Sequence, residues 1–345
     1  MLSPDPSELT ARARADLRVG LPVAIGGVIL ASVETLAPER LDAMRAIGSL
    51  VLAISGRRAE TLKARAYDGD IARIDVPATA DLRWLRGVAD PADDLRQPMK
   101  GPLRTLRGGD ADPWRAGVAL AKAAQLLPAV VGVSAEAPHD VTWLPANPDL
   151  VRALPPEEVA AARVPLAVHR AGRVHVFRDG LEEHYAVEIG HVDRAAPVLV
   201  RLHSACFTGD VLGSVKCDCG PQLHAAMAAM AQTGGILLYL NQEGRGIGLA
   251  NKMRAYDLQD QGFDTVEANH RLGFEDDERN FRLGADLLRR LGVARVRLMT
   301  NNPRKLEMMS AQGVEVAERV PLHVGRRAEN ADYLDVKRAK SGHLE

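Results

Sequence analysis

Runs of apolar residues alternate with amphipathic segments along the chain, and this pattern predicts strands and helices. In the first half, residues 49–55 (SLVLAIS) form an apolar run that predicts a buried strand. Asp112 and Pro113 predict the start of a helix, with the aspartate as its N-cap and the proline at its first position. The apolar periodicity carries this helix to Leu127. The first half therefore contains both kinds of element.

The second half alternates strands and helices more plainly. Three strands are predicted by apolar runs that contain β-branched residues, at residues 196–204, 234–240 and 294–300. Three helices are predicted, from Cys219 to about Gln232, from Asp277 to Leu291 with closure at Gly292, and from the cap Asn302-Pro303 to near Gly313. Such alternation indicates an α/β fold class, in a chain of mixed α and β structure.

The length and the distribution of residue types indicate two domains. At ~150 residues per domain, 345 residues correspond to about two. Residues 135–156 contain five prolines and no clear periodicity, which predicts a linker. Residues 1–150 contain no cysteine and one histidine, His139, whereas the other nine histidines lie beyond. We therefore predict a smaller α/β domain over residues 1–150 and a second domain over residues 151–345.

Charge and hydropathy exclude two classes of partner. Lys and Arg number 44 and Asp and Glu 45, a net charge of -1, so no general basic field would recruit nucleic acid. No apolar run approaches the ~18 residues of a membrane span, and the polar start lacks the core of a signal peptide. We therefore expect a cytoplasmic protein that binds neither nucleic acid nor membrane.

The three cysteines, Cys206, Cys217 and Cys219, lie within fourteen residues of one another. A thiolate binds zinc at ~2.3 Å, and three protein ligands leave a fourth tetrahedral position for water, as a catalytic zinc requires. Three buried, reduced cysteines are the alternative, because free cysteine is among the most buried residue types. A zinc deaminase is excluded, since the only H-x-E (residues 343–345) has no accompanying P-C-x-x-C.

Two segments have the composition of a phosphate-binding site. Residues 241–256 (NQEGRGIGLANKMRAY) follow an apolar run and place glycines beside cations, so that backbone N–H groups and a guanidinium can approach an anion. The alternative is an ordinary tight connection between a strand and a helix. In residues 300–307 (TNNPRKLE), Arg304 and Lys305 oppose the dipole of a helix start, and an anion would relieve that conflict. The alternative there is a solvated basic pair.

An ordered series of motifs occupies the chain from about Leu166 to Glu345. These motifs are RLHSACFTGD, GSVKCDCGPQL, LLYLNQEGRGIGLANKMRAYDLQDQGFDTVEAN, LGFEDDERNF, LMTNNPRKLE, GVEVAERVPL and YLDVKRAKSGHL. Together they resemble GTP cyclohydrolase II, the zinc enzyme of the first step of riboflavin biosynthesis. The resemblance implies a hydrolase that opens the guanine imidazole ring of GTP and releases formate and pyrophosphate, leaving a 2,5-diamino-6-ribosylamino-pyrimidinone 5′-phosphate.

The resemblance also implies a role for individual residues. The zinc ligands would be Cys206, Cys217 and Cys219. The GTP-binding residues would be Arg201, Ser204, Gln222, Glu243, Gly244, Arg245, Thr265, Thr300 and Lys305. Asp277 matches the family's proposed proton acceptor, Arg279 the proposed nucleophile, and Tyr256 the tyrosine that completes ring opening. A decorated helix start is the alternative for Asp277 and Arg279, and a packing residue for Tyr256. A guanidinium, with a pKa above ~12, is a poor nucleophile but a good clamp on a phosphoryl group.

One position departs from the family pattern. The family often reads H-S-E-C before the first zinc ligand, whereas this chain has Ala205 there. The substitution removes a carboxylate and leaves the corresponding substrate contact open.

The N-terminal half faintly resembles 3,4-dihydroxy-2-butanone 4-phosphate synthase, the common fusion partner of the cyclohydrolase. The resemblance lies in residues 91–109 and 115–136. That enzyme needs an acidic loop for magnesium and a downstream H-T-E. Residues 24–40 (AIGGVILASVETLAPER) carry no acidic cluster, and residues 112–118 (DPWRAGV) replace the H-T-E segment. We therefore predict a degenerate, catalytically silent domain with a structural or dimerising role.

The resemblance further implies one Zn²⁺ per chain, Mg²⁺ with the GTP phosphates, and a homodimer. Two alternatives remain open. One is a cyclohydrolase paralogue that stops at the formamide or serves another pathway, and the other is a non-catalytic, zinc-stabilised GTP sensor.

Overall fold

A computed structural model describes residues 3–147, 151, 155–180, 182–331, 335 and 342. The α-helices in these residues are α1 (Pro6–Arg18), α2 (Pro38–Ile47), α3 (Gly56–Thr61), α4 (Leu82–Ala89), α5 (Asp112–Ala123), α6 (Cys219–Thr233), α7 (Leu249–Asp260), α8 (Thr265–Leu272), α9 (Arg282–Arg290) and α10 (Pro303–Ala311). The strands are β1 (Val23–Ile25), β2 (Val28–Ser32), β3 (Val51–Ser55), β4 (Ile71–Asp75), β5 (Ala129–Ser134), β6 (Trp143–Leu144), β7 (Glu157–Arg163), β8 (Gly172–Arg178), β9 (Glu183–Ile189), β10 (Val198–Ser204), β11 (Gly235–Leu240), β12 (Arg295–Met299) and β13 (Glu315–Val320). The predicted mixed α/β class is confirmed.

The chain divides into two compact units, and the division differs from a single cut near residue 150. Unit 1 comprises Met1–Arg152 together with Ile247–Glu278, and unit 2 comprises Ala153–Gly246 together with Arg279–Glu345. The segment 247–278 carries α7 and α8 and belongs to unit 1, although it lies within residues 151–345 of the predicted second domain. Its apolar side chains, among them Leu258 and Leu272, share a core with β3 and α4 of unit 1. Burial of this face explains why the segment groups with unit 1.

Unit 1 contains a six-stranded sheet in the order β4-β3-β5-β2-β1-β6 among its described residues. Successive side chains of a strand point to opposite faces, and both faces of this sheet are covered. Leu52 and Ile54 pack on one face with α2, α4, α7 and α8, whereas Ala53 packs on the other with α1 and α5. The predicted strand at residues 49–55 is therefore confirmed as a buried central strand.

Two predictions for unit 1 need correction. Helix α5 already includes Asp112, so its N-cap is Ala111 and not the aspartate, and the backbone N–H of Asp112 donates to the Asp110 carboxylate. The helix ends at Ala123 and not at Leu127, since Gln125 has a φ of 60°. The segment 135–156 is not a pure linker, because β6 pairs with β1 in the sheet. Residues 148–150 and 152–154 of this segment lie outside the described residues.

Unit 2 contains a seven-stranded sheet in the order β13-β12-β10-β11-β9-β8-β7 among its described residues. The strands β13, β12, β10 and β11 run parallel, and β9, β8 and β7 continue as antiparallel hairpins. Helix α6 covers one face of the sheet, and α9 and α10 cover the other. This three-layer arrangement places the loops after β10, β11 and β12 at one edge.

The predicted strands and helices of unit 2 are confirmed with one exception. Helix α9 begins at Arg282, five residues later than predicted, and closes before Gly292 as expected. Residues 277–280 precede the helix without regular secondary structure, and the backbone N–H of Arg282 donates to the Asn280 side chain. Asp277 and Arg279 therefore do not decorate a helix start. Most of the motif at 333–344 and the tripeptide 343–345 lie outside the described residues.

Candidate metal centre and active site

The three cysteine sulfurs converge at the carboxyl edge of the unit 2 sheet. The Sγ atoms of Cys206, Cys217 and Cys219 all lie within 4.8 Å of one another, and those of Cys206 and Cys217 are 3.7 Å apart. Two ligands of a tetrahedral zinc with ~2.3 Å bonds are separated by about 3.8 Å. Among the His, Cys, Asp and Glu side chains of the described residues, these three cysteines form the group whose ligand atoms lie close enough together to hold a metal ion. The donor set therefore fits a metal ion.

The backbone around the sulfurs leaves room for that ion. A Cβ built on Gly209 would lie 2.8 Å from Cys217 Sγ and 3.0 Å from Cys206 Sγ, so a larger residue would enter the space between the ligands. A Cβ on Gly220 would lie 2.3 Å from the Gly209 carbonyl oxygen. The hydrogen bond with Cys206 raises the pKa of the Cys217 thiol. A nearby cation is therefore needed to hold both as thiolates.

The loop after β10 is tied down by a buried carboxylate. Cys206 N–H and the Tyr239 hydroxyl each donate to Asp210 Oδ2 at 3.0 Å, and His203 Nε2 lies 3.0 Å from the same oxygen. Burial lowers the pKa of His203, whereas burial and the charge of Asp210 raise the pKa of Tyr239. At neutral pH the imidazole is uncharged and the phenol keeps its proton, so both groups can donate to Asp210.

Strand alternation brings Arg201 onto the face that α6 covers. Arg201 follows Leu199 at the strand period of two, and its Nη2 donates to Gln222 Oε1 on α6 at 2.5 Å. Gln222 Nε2 in turn donates to Asp218, the residue between the last two cysteines. Burial lowers the pKa of Arg201 to about 10, so the guanidinium remains a cation at neutral pH. These two predicted GTP-binding residues therefore form one chain of contacts beside the cysteine cluster.

The glycine-rich loop after β11 adopts a left-handed backbone. Gly244, Arg245 and Gly246 have φ angles of 61°, 62° and 93°. The left-handed region costs an L-residue about 1–2 kcal/mol, and such strain is concentrated at ligand sites. The Glu243 carboxylate accepts from Gly244 N–H at 2.9 Å and from Phe207 N–H at 2.6 Å. The loop is thereby joined to the residue that follows the first cysteine.

Four further predicted residues of unit 2 make contacts close to the ends of β10 and β12. Arg279 Nη1 donates to Ser204 Oγ at 3.3 Å, and its guanidinium lies 4.8 Å from the Phe281 ring centre. Lys305 is buried in the first turn of α10, where Nζ donates to the Leu202 carbonyl at 2.8 Å. Thr300 is also buried, and its hydroxyl accepts from the Asn302 N–H that precedes the helix.

Comparison with known proteins agrees with this geometry. The family described as GTP cyclohydrolase II matches residues 157–321, from β7 to just after β13. A GTP cyclohydrolase-2 from Azospirillum brasilense is 42% identical over 362 aligned positions, which cover 96% of this chain and 93% of that protein. This chain belongs to the GTP cyclohydrolase II family. The predicted enzyme class, a hydrolase of this family, is confirmed.

Other relatives are more similar to this chain, but over a shorter part of it. The GTP cyclohydrolase-2 proteins of Cronobacter sakazakii and Escherichia fergusonii are 58% and 59% identical over 47% of this chain, and the match covers 83% and 82% of their lengths. Among solved structures, a two-domain 3,4-dihydroxy-2-butanone 4-phosphate synthase from A. baumannii is 15% identical, with a TM-score of 0.29. It covers 91% of this chain and 99% of its own. The assignment of the N-terminal domain to a degenerate synthase stays a prediction.

The remaining predicted residues of the cyclohydrolase motifs lie in unit 1. Tyr256 is half-buried on α7, with Lys252 Nζ 5.6 Å from its ring centre. Thr265 is the first residue of α8, and its hydroxyl accepts from Gln259. Asp277 follows α8 in a segment without regular secondary structure. The structure thus places twelve of the fifteen predicted residues in unit 2 and these three in unit 1.

Sequence reasoning missed the role of Tyr239 in the cyclohydrolase site. Tyr239 pairs in register with His203 on the adjacent parallel strand, and the two rings stack 5.5 Å apart. The available signal in the sequence was that His203 and Tyr239 are each the next-to-last residue of a predicted strand that leads into a motif loop.

Among the described residues, no helix is both long and apolar enough to span a bilayer.

Proposed function

We propose that this chain hydrolyses GTP to formate, pyrophosphate and the 2,5-diamino-6-ribosylamino-pyrimidinone 5′-phosphate, the first step of riboflavin biosynthesis. Cys206, Cys217 and Cys219 would hold one Zn²⁺, because three sulfur ligands that converge within 4.8 Å suit this borderline-soft ion. When bound, zinc supplies a lowered pKa for water, toward ~7. The observation that carries the proposal is the convergence of the three sulfurs with the predicted nucleotide-binding residues at one sheet edge.

The residues of unit 2 divide between the base and the phosphates. Arg201 and Gln222 hold each other in place and present hydrogen-bonding groups beside the cysteines, which suits the guanine base. Glu243, Gly244 and Arg245 would position the nucleotide through the left-handed loop, together with Ser204, Thr300 and Lys305. Mg²⁺ would neutralise the triphosphate during cleavage of the phosphoanhydride.

We propose that Arg279 acts as a phosphate clamp. Its guanidinium lies over the Phe281 ring and is hydrogen-bonded to Ser204, and a planar cation held in this way suits the binding of a phosphoryl group. By the family resemblance, Asp277 would be the proton acceptor and Thr265 a further GTP-binding residue.

The direct test is to incubate the purified protein with GTP, Zn²⁺ and Mg²⁺ and to measure formate and the diaminopyrimidine. Equal amounts of both products are expected. GTP binding without turnover would instead favour the sensor, and a formamide product would favour the paralogue. Size-exclusion chromatography with light scattering tests the predicted homodimer.

Tyr256→Phe should change the product more than the rate of GTP consumption. The phenol can donate to a developing oxyanion or orient the second water, whereas the first attack on the base needs only activated water. We expect the variant to consume GTP and accumulate the formamidopyrimidine nucleotide, with little free formate. Mass spectrometry at matched GTP consumption measures the ratio.

The matched control is Tyr67→Phe, since Tyr67 also lies in unit 1 but contacts Arg65 and Arg107. It should leave the products unchanged. If Tyr256→Phe also yields mainly the fully deformylated product, Tyr256 is a packing residue.

We also propose that the domain over residues 1–150 is catalytically silent. Glu34, an acid of the segment that would need an acidic cluster, is already engaged within unit 1. Its carboxylate accepts from Leu127 N–H at 2.8 Å and from Arg254 Nη2 at 3.0 Å. Each oxygen of this carboxylate is thus engaged within the protein, and no acidic cluster accompanies it in residues 24–40.

The purified chain should therefore give no dihydroxybutanone phosphate from ribulose 5-phosphate and Mg²⁺. Liquid chromatography with mass spectrometry over several hours measures this, with a known synthase as positive control. Detection of the product above the enzyme-free background would contradict the assignment.

A further inference from the structure

Asp210 is a buried carboxylate for which the roles above give no function. Its side chain is 3% exposed, and it lies in the short turn Phe207–Val211 between the first and second cysteines. Burying an ionised carboxylate is costly unless several donors satisfy it. The donors that satisfy Asp210 show what the residue holds.

Three donors from three places in unit 2 meet at this carboxylate. Cys206 N–H comes from the loop after β10, the Tyr239 hydroxyl from β11, and the His203 imidazole from β10. Cys206 and Asp210 are also linked in the reverse direction, because Asp210 N–H donates to the Cys206 carbonyl at 2.7 Å. Both backbone polar groups of Cys206 are therefore fixed by one residue.

The His203 imidazole needs a hydrogen-bond acceptor at position 210. His203 Nδ1 is buried without a hydrogen-bond partner, whereas Nε2 faces both oxygens of Asp210. A neutral imidazole carries one proton, and only Nε2 has an acceptor for it. An amide at position 210 would keep one oxygen that faces Nε2 but would replace the other by an N–H group, which weakens this contact.

We propose that Asp210 is a positioning residue of the metal centre, which orients the Cys206 ligand through its backbone and through the His203 and Tyr239 contacts. The inference rests on the proposed metal site. Partners behind the ligands of a metal typically change its affinity 10–100-fold when they are lost. Asp210 should therefore affect the binding of the ion itself, and not only the stability of the fold.

The test compares Zn²⁺ affinity in Asp210→Ala, Asp210→Asn, Tyr239→Phe and wild type, by competition with a chromogenic chelator. We expect a loss of about 10–100-fold for the alanine variant. The asparagine variant should show a smaller loss, because its oxygen can still accept from Cys206 and Tyr239. Tyr239→Phe, which keeps the carboxylate, should lose less than about tenfold. Asp193→Asn, an exposed aspartate of unit 2, is the matched control and should bind as wild type does.

A second measurement separates positioning from a merely structural role. Cobalt(II) bound in place of zinc reports its ligand geometry through its visible absorption, and we expect this spectrum to shift in Asp210→Asn while the far-ultraviolet circular dichroism is unchanged. Wild-type zinc affinity with an unshifted cobalt spectrum in the Asp210→Asn and Asp210→Ala variants overturns the role of Asp210. Failure of the wild-type protein to bind zinc overturns the metal site itself, so the two failures are distinguishable.

Discussion

Replacing Cys217 by serine should release the bound metal and lower formate production from GTP more than about a hundredfold. Losing a residue that is hydrogen-bonded to a metal ligand typically lowers metal affinity or activity about 10–100-fold, and losing the ligand itself should lower them further. A serine hydroxyl is a far weaker ligand for zinc than a thiolate. Elemental analysis of the wild-type protein should give about one zinc per chain, and the variant should give much less than one. Formate release measures the catalytic loss.

Ser214→Ala is the matched control, because Ser214 lies in the same loop but is not one of the cysteine ligands. Its hydroxyl accepts a hydrogen bond from Lys216 N–H. It should retain metal and activity. Formate release by Cys217→Ser at the wild-type rate, or a wild-type protein without metal, would contradict the proposed centre.

Replacing Asp94 by asparagine should lower the free energy of unfolding of unit 1 by about 3–5 kcal/mol, the usual cost of removing one partner from a buried ion pair. The Asp94 carboxylate accepts from Arg58 at 2.5 and 2.9 Å and also from Lys100, and Arg271 Nη1 lies 3.8 Å away. Arg58 is 1% exposed, so its charge would stay buried without a counter-charge. Because Arg271 lies on α8, the cluster also holds segment 247–278 in unit 1.

The pH dependence of this effect has a definite sign. Burial alone would raise the pKa of Asp94, but the hydrogen bonds and charges of Arg58 and Lys100 lower it below its usual range. Its contribution to stability is therefore complete above the unfolded-state pKa of about 3.9 and is lost as the pH falls through the lower folded-state value. The difference between wild type and variant should be constant from about pH 5 to 7 and should shrink below pH ~4.

Tryptophan fluorescence during urea unfolding is the appropriate measurement. The three tryptophans, Trp84, Trp114 and Trp143, all lie in unit 1. Asp93→Asn is the control, because the neighbouring Asp93 forms only an exposed pair with Arg96 and should change stability by less than about 0.5 kcal/mol. A loss below about 1 kcal/mol in Asp94→Asn, or an equal loss at pH 3 and pH 7, would show that the pair is not a stabilising buried pair.

The sequence by itself determined the elements of the second half and the chemistry of its loops. Strands β10, β11 and β12 and helices α6 and α10 follow from apolar runs and caps, which are local signals that need no tertiary contact. The three cysteines predicted the candidate metal centre, because their clustering in fourteen residues favours metal ligation over a disulfide framework. The motif order identified the family.

The tertiary structure decided what depends on contacts distant in sequence. Only the fold shows that Leu258 and Leu272 are buried in the core of unit 1. Segment 247–278 therefore belongs to unit 1, although the residues before and after it in the sequence belong to unit 2. Only the parallel register of β10 and β11 brings Tyr239 beside His203 and turns Asp210 into the acceptor for both. Hydrophobic periodicity reports which side of an element is buried, but it does not specify the surface on which that side packs.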